Sequence, residues 1–340
     1  MDAEERTGTG ERMGVDAVRA LIAGALRRSN VSEANAASVA EALLAAELAG
    51  QTGHGLRRVE AYAAQARAGK VDGHASPTLK RTRPGAIHID AAHGFAYPAL
   101  DLAIEALPDA AREAGIAMAG VRRSHHCGVA GVTVERLADA GLVALMFANA
   151  PAAIAPWGGR TPLFGTDPIA FAAPIEGADP VVVDVSLSKV ARGKLMAAKQ
   201  RGDTIPEGWA LAPDGSPTTD PTEGMAGTMV PMGDSKGATL AIMVEMLCAG
   251  LTGARYAHEA TSFFDAEGEP PGVGQLLIAI DPAAFGPGAT ARFAALADAI
   301  EGVEGARLPG RRRQALRAEY ARAGIPVDGE LVRAIEGIGG

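Results

Sequence analysis

Residues 122–131 read RRSHHCGVAG, and the reading of this stretch decides how the chain is assembled. Just upstream, GIAMAGV (115–121) is a short apolar run typical of a buried strand, and just downstream AGVTVERLADAG (130–141) has helical period. A strand therefore passes into a glycine-rich helix start here, the kind of place where substrates and anions are held. Working outward, GAIHIDAA (85–92) alternates like a strand, and LVALMFANA (142–150), IAFAAPI (169–175), PVVVDVS (180–186) and LLIAIDP (276–282) are further short apolar runs. Between them YPALDLAIEALPDAAREAG (97–115) and SKGATLAIMVEMLCAGLTG (235–253) read as helices.

Both termini are expected to be helical. GVDAVRALIAGALRRSN (14–30) is one helix, and Ser32 is placed to cap a second that ends at Gly50. HGLRRVEAYAAQARAG (54–69) reads as a third, and helices return from ATARFAALADAIEGV (289–303) to LVRAIEGIGG (331–340), after a start expected to be frayed. The Pro/Gly/Asp/Thr-rich segment 201–224 reads as a long ordered excursion. The fold class is α/β with α+β character: a mixed sheet core flanked by helices from both ends.

The 340 residues carry a net charge of −8, which favours solubility and argues against nucleic acid or anionic membrane as main partner. Two cysteines are too few for a disulfide framework and suit a reducing compartment. No signal segment and no run of about 20 apolar residues is seen, so a cytoplasmic protein is expected.

Three chemistries compete for the His-His-Cys run. Adjacent histidines on a strand face opposite sides, and nothing resembles C-x-x-C or H-E-x-x-H, so no metal is expected. Cys127 as a nucleophile needs a lowered pKa, whereas free cysteines are usually small buried hydrophobes. A histidine that gains and loses a proton near neutral pH fits best of the three. Cofactor fingerprints are negative. GTGERMG (8–14) has no preceding strand, and GDSKGAT (233–239) and ARGKL (191–195) miss the phosphate-loop spacing.

Seven segments in order, GHGLRRVEAY (53–62), SHHCGVAG (124–131), APWGGRTPLFGTDPIAFAAP (155–174), DVSLSKVARGK (184–194), PEGWALAPDGSPTTDP (206–221), SKGATLAIMVEML (235–247) and GVGQLLIAIDP (272–282), resemble the malate/L-lactate dehydrogenase family. The resemblance implies a non-Rossmann fold with a largely antiparallel sheet, NAD or NADP as cofactor, a small anionic carboxylate substrate and a homodimer with its site near the interface. It implies an N-terminal helical region 1–75 packed with the C-terminal helices 290–340. A substrate and dimerisation region at 76–120 with strand 275–282, and a cofactor-binding domain at 121–270, follow from it too. His126 becomes the acid/base, acting as an imidazolium, with His54 and Arg58 as further catalytic residues, and Gly53 and Tyr62 as substrate neighbours. Pro156, Trp157, Gly158, Thr166, Asp167, Asp184, Ser188, Asp234, Lys236 and Arg313 fall to the cofactor.

Three departures from the family pattern matter. His125 stands where the family has Asn, Gly53 where it usually has Ser, and MGDSKG (232–237) replaces G-G-H-K-G. Gly53 leaves room for a substrate other than plain malate or lactate, such as a cyclic imine carboxylate. Asp234 leaves the choice between the two cofactors open, because an acid near the ribose disfavours a 2′-phosphate. The expected reaction is interconversion of a 2-oxo and a 2-hydroxy acid, with reduction of a cyclic imine carboxylate to proline or pipecolate as the alternative. A Cys127-dependent hydrolase and a binding protein without catalysis are the readings from other classes.

Overall fold

The computed structural model describes residues 11–339. The expected fraying falls on residues outside this range, as does the start of GTGERMG. The chain opens with β1 (Arg12–Met13), α1 (Val15–Arg27), α2 (Glu33–Leu48) and α3 (Val59–Ala68), then β2 (Thr78–Arg83), β3 (Ala86–Asp90), α4 (Ala96–Ala114) and β4 (Ile116–Ser124). Next come α5 (Ala130–Asp139), β5 (Val143–Ala148), β6 (Ile169–Ile175), β7 (Ala178–Val185) and α6 (Arg192–Arg201). The excursion forms β8 (Ala210–Leu211), β9 (Pro217–Thr218), α7 (Pro221–Ala226) and β10 (Thr228–Met229). The chain closes with α8 (Ser235–Glu245), β11 (Val273–Ile280), α9 (Ala289–Glu301), α10 (Arg311–Ala323), β12 (Ile325–Pro326) and α11 (Gly329–Glu336).

Seven strands form one sheet in the order β2-β3-β4-β11-β5-β6-β7, antiparallel throughout except where β3 runs parallel to β4. The mixed, largely antiparallel core expected from the sequence is present. Its central strand β11 arrives last in sequence yet bonds to both β4 and β5, so nearly every one of its residues is buried. The alanines of β4, β5 and β6 let helices approach closely: α4 lies over β3 and β4, and α5 over β5, β6 and β7. On the opposite face Leu276 and Phe147 pack with Leu187, Leu195, Ala241, Val244 and Cys248. Helices α1, α2, α10 and α11 make up a helical cap, in which α10 touches α2 and α11 touches α1 and α3. No helix among the described residues is long and apolar enough to cross a membrane.

The second helix starts where expected, with the Ser32 side chain accepting a hydrogen bond from the Asn35 amide at 3.3 Å. The third departs from expectation. Residues 52–54 and 56–58 are single 3₁₀ turns, and α3 begins only at Val59. Gly55 breaks the helix with φ −105° and ψ −127°, and the amide of Leu56 donates instead to the Glu47 carboxyl at 2.6 Å. Burial pushes the Glu47 carboxyl up to about 7, so near neutrality this inward-facing acid exchanges a proton while it holds the turn carrying His54 and Arg58.

Ser32→Ala removes a capping acceptor from α2 and is expected to cost about 1 kcal/mol. Urea unfolding checks this, with a lowered midpoint at an unchanged slope as the expected result.

Candidate active site

Tyr62, one turn into α3, is the centre of the site. Its hydroxyl lies 2.6 Å from His126 Nδ1 and 3.1 Å from the Tyr97 hydroxyl of α4. His126 follows the end of β4, and its ring stacks on that of His54 with centroids 5.2 Å apart and planes 13° apart. Among the described residues His126 Nε2 has no partner and is accessible, and the same holds for His54 Nε2, whose Nδ1 is buried. Arg58 bonds through Nε to the Gly53 carbonyl at 2.9 Å and lays its guanidinium over Phe264, 4.7 Å from the ring centroid. It forms no ion pair among the described residues, and its terminal nitrogens are left free for an anion. A Cβ placed on Gly53 would meet nothing within 4 Å, so the missing serine side chain leaves open space beside these groups.

His125 is used quite differently. It is buried, and its Nε2 faces the Gln65 side-chain oxygen at 2.7 Å. Gln65 donates from Nε2 to the carbonyls of Phe263 and Asp265, both at 2.9 Å, so its oxygen must accept and His125 is the neutral Nε2–H tautomer. Phe263 in turn packs against both histidine rings. Gln65, Tyr97 and Phe263 escape sequence reading because a lone Gln, Tyr or Phe on an apolar face looks like core. The one available signal is that Tyr62 and Gln65 stand three residues apart on α3 and so share a face.

The electrostatics keep all three histidines neutral. Burial, then the Arg58 charge, lowers His54 to about 4. Burial, then Lys70 and Arg58, lowers His125 to about 3. Burial and Arg58 also hold His126 well below its ordinary value, so the imidazolium expected from the sequence is not the resting form. Burial pushes the Cys127 thiol up to about 12, with Asp184 adding to it, which leaves no thiolate for a nucleophile near neutral pH.

The residues assigned to a cofactor fall into separate places. Asp184 accepts from the Gly131 amide at 3.0 Å, and Arg313 reaches the same carboxylate at 3.5 Å, so both meet at the first turn of α5. Ser188 is bridged to Pro231, which brings it beside the turn holding Asp234 and Lys236, and Thr166 is tied to that loop through Leu187 and Ser186. Asp167, with φ +35°, is fully buried and turned toward Glu245, and burial raises both carboxyls. The Pro156–Trp157–Gly158 turn stands apart with Trp157 exposed.

These residues fit a dinucleotide. Helices α6 and α8 begin without a side-chain cap, and the first turn of α6 holds Gly193, whose Cα face is open. Lys189, Lys194 and Lys236 beside them form no ion pair among the described residues. Uncapped helix starts with free ammonium groups match the phosphates of such a ligand.

The sequence model of a family described as malate/L-lactate dehydrogenase matches residues 13–336. The chain belongs to the malate/L-lactate dehydrogenase family. It is 52% identical over 299 residues to a (2R)-3-sulfolactate dehydrogenase (NADP(+)) of Chromohalobacter salexigens, covering 88% of this chain and 90% of that one. It is 36% identical over 332 residues to a Δ1-pyrroline-2-carboxylate reductase of Ancylobacter novellus, covering 96% and 97%. The crystal structure of Δ1-piperideine-2-carboxylate reductase from Pseudomonas syringae superposes with a TM-score of 0.92 at 35% identity, covering 96% of this chain and 99% of that one. As a member of the family the chain is an oxidoreductase working with NAD or NADP.

Unfolding should report the neutral histidines. The unfolded chain takes up a proton on each histidine as pH falls through about 6.5, whereas His125 in the fold waits until about 3, so stability is lost as pH falls from 6.5. At pH 5 the share of His125 is about 2 kcal/mol. His125→Asn should flatten the fall in urea midpoint between pH 7 and pH 5, and an unchanged slope would show that His125 is protonated in the fold.

Proposed function

We propose that this enzyme interconverts a 2-oxo acid and its 2-hydroxy acid with NADP, and that the acid carries a second anionic group as 3-sulfolactate does. The observation that carries this reading is the convergence of three open groups on one face: His126 Nε2, His54 Nε2 and the Arg58 guanidinium. Arg58 clamps the substrate carboxylate by paired charge-assisted bonds, with the Phe264 ring packed against the guanidinium face. His126 exchanges the proton of the reacting oxygen, and His54 orients that oxygen from the neighbouring ring. The carboxylate also cancels the Arg58 charge that helps to keep His126 neutral, so anion binding and the proton affinity of His126 rise together. Residues Ser188, Lys189, Lys194 and Lys236 would hold the nucleotide, which supplies hydride to the carbonyl carbon or removes it from the alcohol. The free lysines support NADP over NAD, as does the 52% identity to the NADP(+)-named relative.

Reduction of a cyclic imine carboxylate is the second reading, supported by the open space at Gly53 and by the reductases at 36% and 35% identity. A homodimer is part of the proposal: Leu240, Ile242, Met243 and Met246 leave one side of α8 apolar and open, which suits a second copy of the chain. The helical cap, the 76–120 substrate region with β11, and the 121–270 nucleotide-binding region complete it. A cytoplasmic setting fits the two free, buried cysteines.

The test follows absorbance of NADPH and NADH with 3-sulfopyruvate, oxaloacetate, pyruvate, Δ1-pyrroline-2-carboxylate and Δ1-piperideine-2-carboxylate. Fastest NADPH oxidation with 3-sulfopyruvate is expected, and oxidation with the imines alone would overturn the main reading in favour of the second. His126→Ala should lower turnover by ~100-fold or more with NADPH binding retained. Arg58→Ala should raise substrate KM with little change in nucleotide affinity, and the reverse pattern would remove the clamp.

A further inference from the structure

His126 makes its Nδ1 contact not with a carboxylate but with a buried tyrosine hydroxyl, and behind that stands a second one. Among the described residues Tyr62 Oη has two partners, His126 Nδ1 at 2.6 Å and Tyr97 Oη at 3.1 Å, whereas Tyr97 Oη has Tyr62 alone. Tyr97 also lines a cavity of about 520 Å³ between α2, α4 and α5, beside Cys127 and Val129. Gly128 lies between those two wall residues with φ +69°, and a Cβ there would stand 2.7 Å from the Tyr97 hydroxyl. The glycine is what gives the hydroxyl its place against the wall. Charged side chains line the same cavity: Glu41, Asp101, Glu135 and Asp139, with Arg136 paired to Asp101 and Arg317 paired to Glu135.

We propose that Tyr62 and Tyr97 form a proton relay that joins His126 Nδ1 to this cavity, so that His126 gives a proton to substrate without passing through a charged state. The proposal rests on His126 being the acid/base. Its physical ground is that a neutral imidazole which gives up its Nε2 proton alone becomes an imidazolate, a base about as strong as the alkoxide it serves, so the transfer alone leaves a buried anion on the ring. A proton arriving at Nδ1 in the same step removes that charge. Burial, the larger of the causes that keep His126 neutral, persists when an anion covers Arg58, so the neutral route is the relevant one.

The step balances. In reduction by the nicotinamide nucleotide, the carbonyl carbon accepts hydride and the C=O π pair moves onto oxygen, which takes the His126 Nε2 proton. The Nε2–H bond pair returns to the ring, and the Nδ1 lone pair takes the Tyr62 hydroxyl proton. Tyr62 oxygen takes the proton of Tyr97, and Tyr97 oxygen takes one from solvent in the cavity. One proton enters and one is delivered. When product leaves, the open Nε2 is protonated by solvent and the Nδ1 proton returns along the same hydroxyls. The relay thus lends a proton while substrate covers the front of the ring. Tyr62 and Tyr97 act through His126 and are positioning residues, not catalytic ones.

Two readouts test it. The first is the ¹⁵N spectrum of the ligand-free enzyme, in which His126 should be the Nε2–H tautomer with Nδ1 accepting a hydrogen bond that Tyr62→Phe removes. A Nδ1–H tautomer overturns the proposal. The second is Tyr97→Phe with NADPH and whichever acid of the panel turns over fastest. Its kcat should fall on the order of 10-fold with KM held, the solvent deuterium isotope effect should increase, and small protonated buffers should restore part of the rate. Wild-type kcat and isotope effect overturn the relay, as does a fall in kcat that buffers do not restore and that leaves the isotope effect unchanged. His126→Ala run alongside separates the two claims. Retained turnover there removes the acid/base reading itself, whereas a dead His126→Ala with an unaffected Tyr97→Phe removes the relay alone.

Discussion

The side-chain amide of Gln65 holds the site together. Both of its donors go to the 263–265 segment and its oxygen takes the His125 N–H. One buried group therefore joins three pieces of chain, α3, the turn after β4 and a loop some two hundred residues later. Lys70 on the same helix end adds an ion pair to Asp265 at 2.8 Å, and Gln275 of β11 ties in the His125 carbonyl at 3.1 Å. Leaving a buried polar group unpaired costs about 1–3 kcal/mol, so these segments order together or not at all. His125 stands where Asn is usual, and its ring reaches across to Gln65 where a shorter amide would stop. That departure from the family pattern is thereby given a structural partner.

This clamp brings together a guanidinium, two accessible imidazole nitrogens and a buried tyrosine pair. Positive charge is concentrated in Arg58, and the surrounding rings stay neutral because burial and that charge both oppose their protonation. A fixed cation with no ion pair among the described residues favours an anion. On the proposed reading, an anion bound to Arg58 removes that cation's opposition to protonation of His126 while burial continues to oppose it. On that reading, substrate binding and the proton affinity of His126 are coupled through Coulomb's law over a few ångströms.

Much of the fold was legible in the sequence because apolar runs and periodicity carry it. β4, β5, β6, β7 and β11 were visible as short buried strands, and α4, α5 and α8 as periodic helices. β2 was not, because TLKRTR is exposed on both faces and has no apolar alternation. α6 was missed for a like reason, with only Leu195 and Ala198 buried in a polar helix. Residues 54–58 read as helix because the apolar spacing there suits either form, and only Glu47 taking the Leu56 amide decides between them. In the site, His126, His54 and Arg58 are candidates by resemblance, and the structure stacks the His126 and His54 rings and places Arg58 on the Gly53 carbonyl. Their partners are not candidates, since Gln65–His125 and Gln65–Phe263 are 60 and 198 residues apart and carry no local signal.

The central claim is that one anion on Arg58 brings its reacting oxygen to His126 Nε2. A crystal structure of the enzyme with NADP and 3-sulfolactate tests it most directly. The account predicts the carboxylate paired to the Arg58 terminal nitrogens, with the hydroxyl oxygen within about 3.2 Å of His126 Nε2 and Tyr62 still on Nδ1. A carboxylate bound away from Arg58, or a hydroxyl facing another acid/base group, would contradict it.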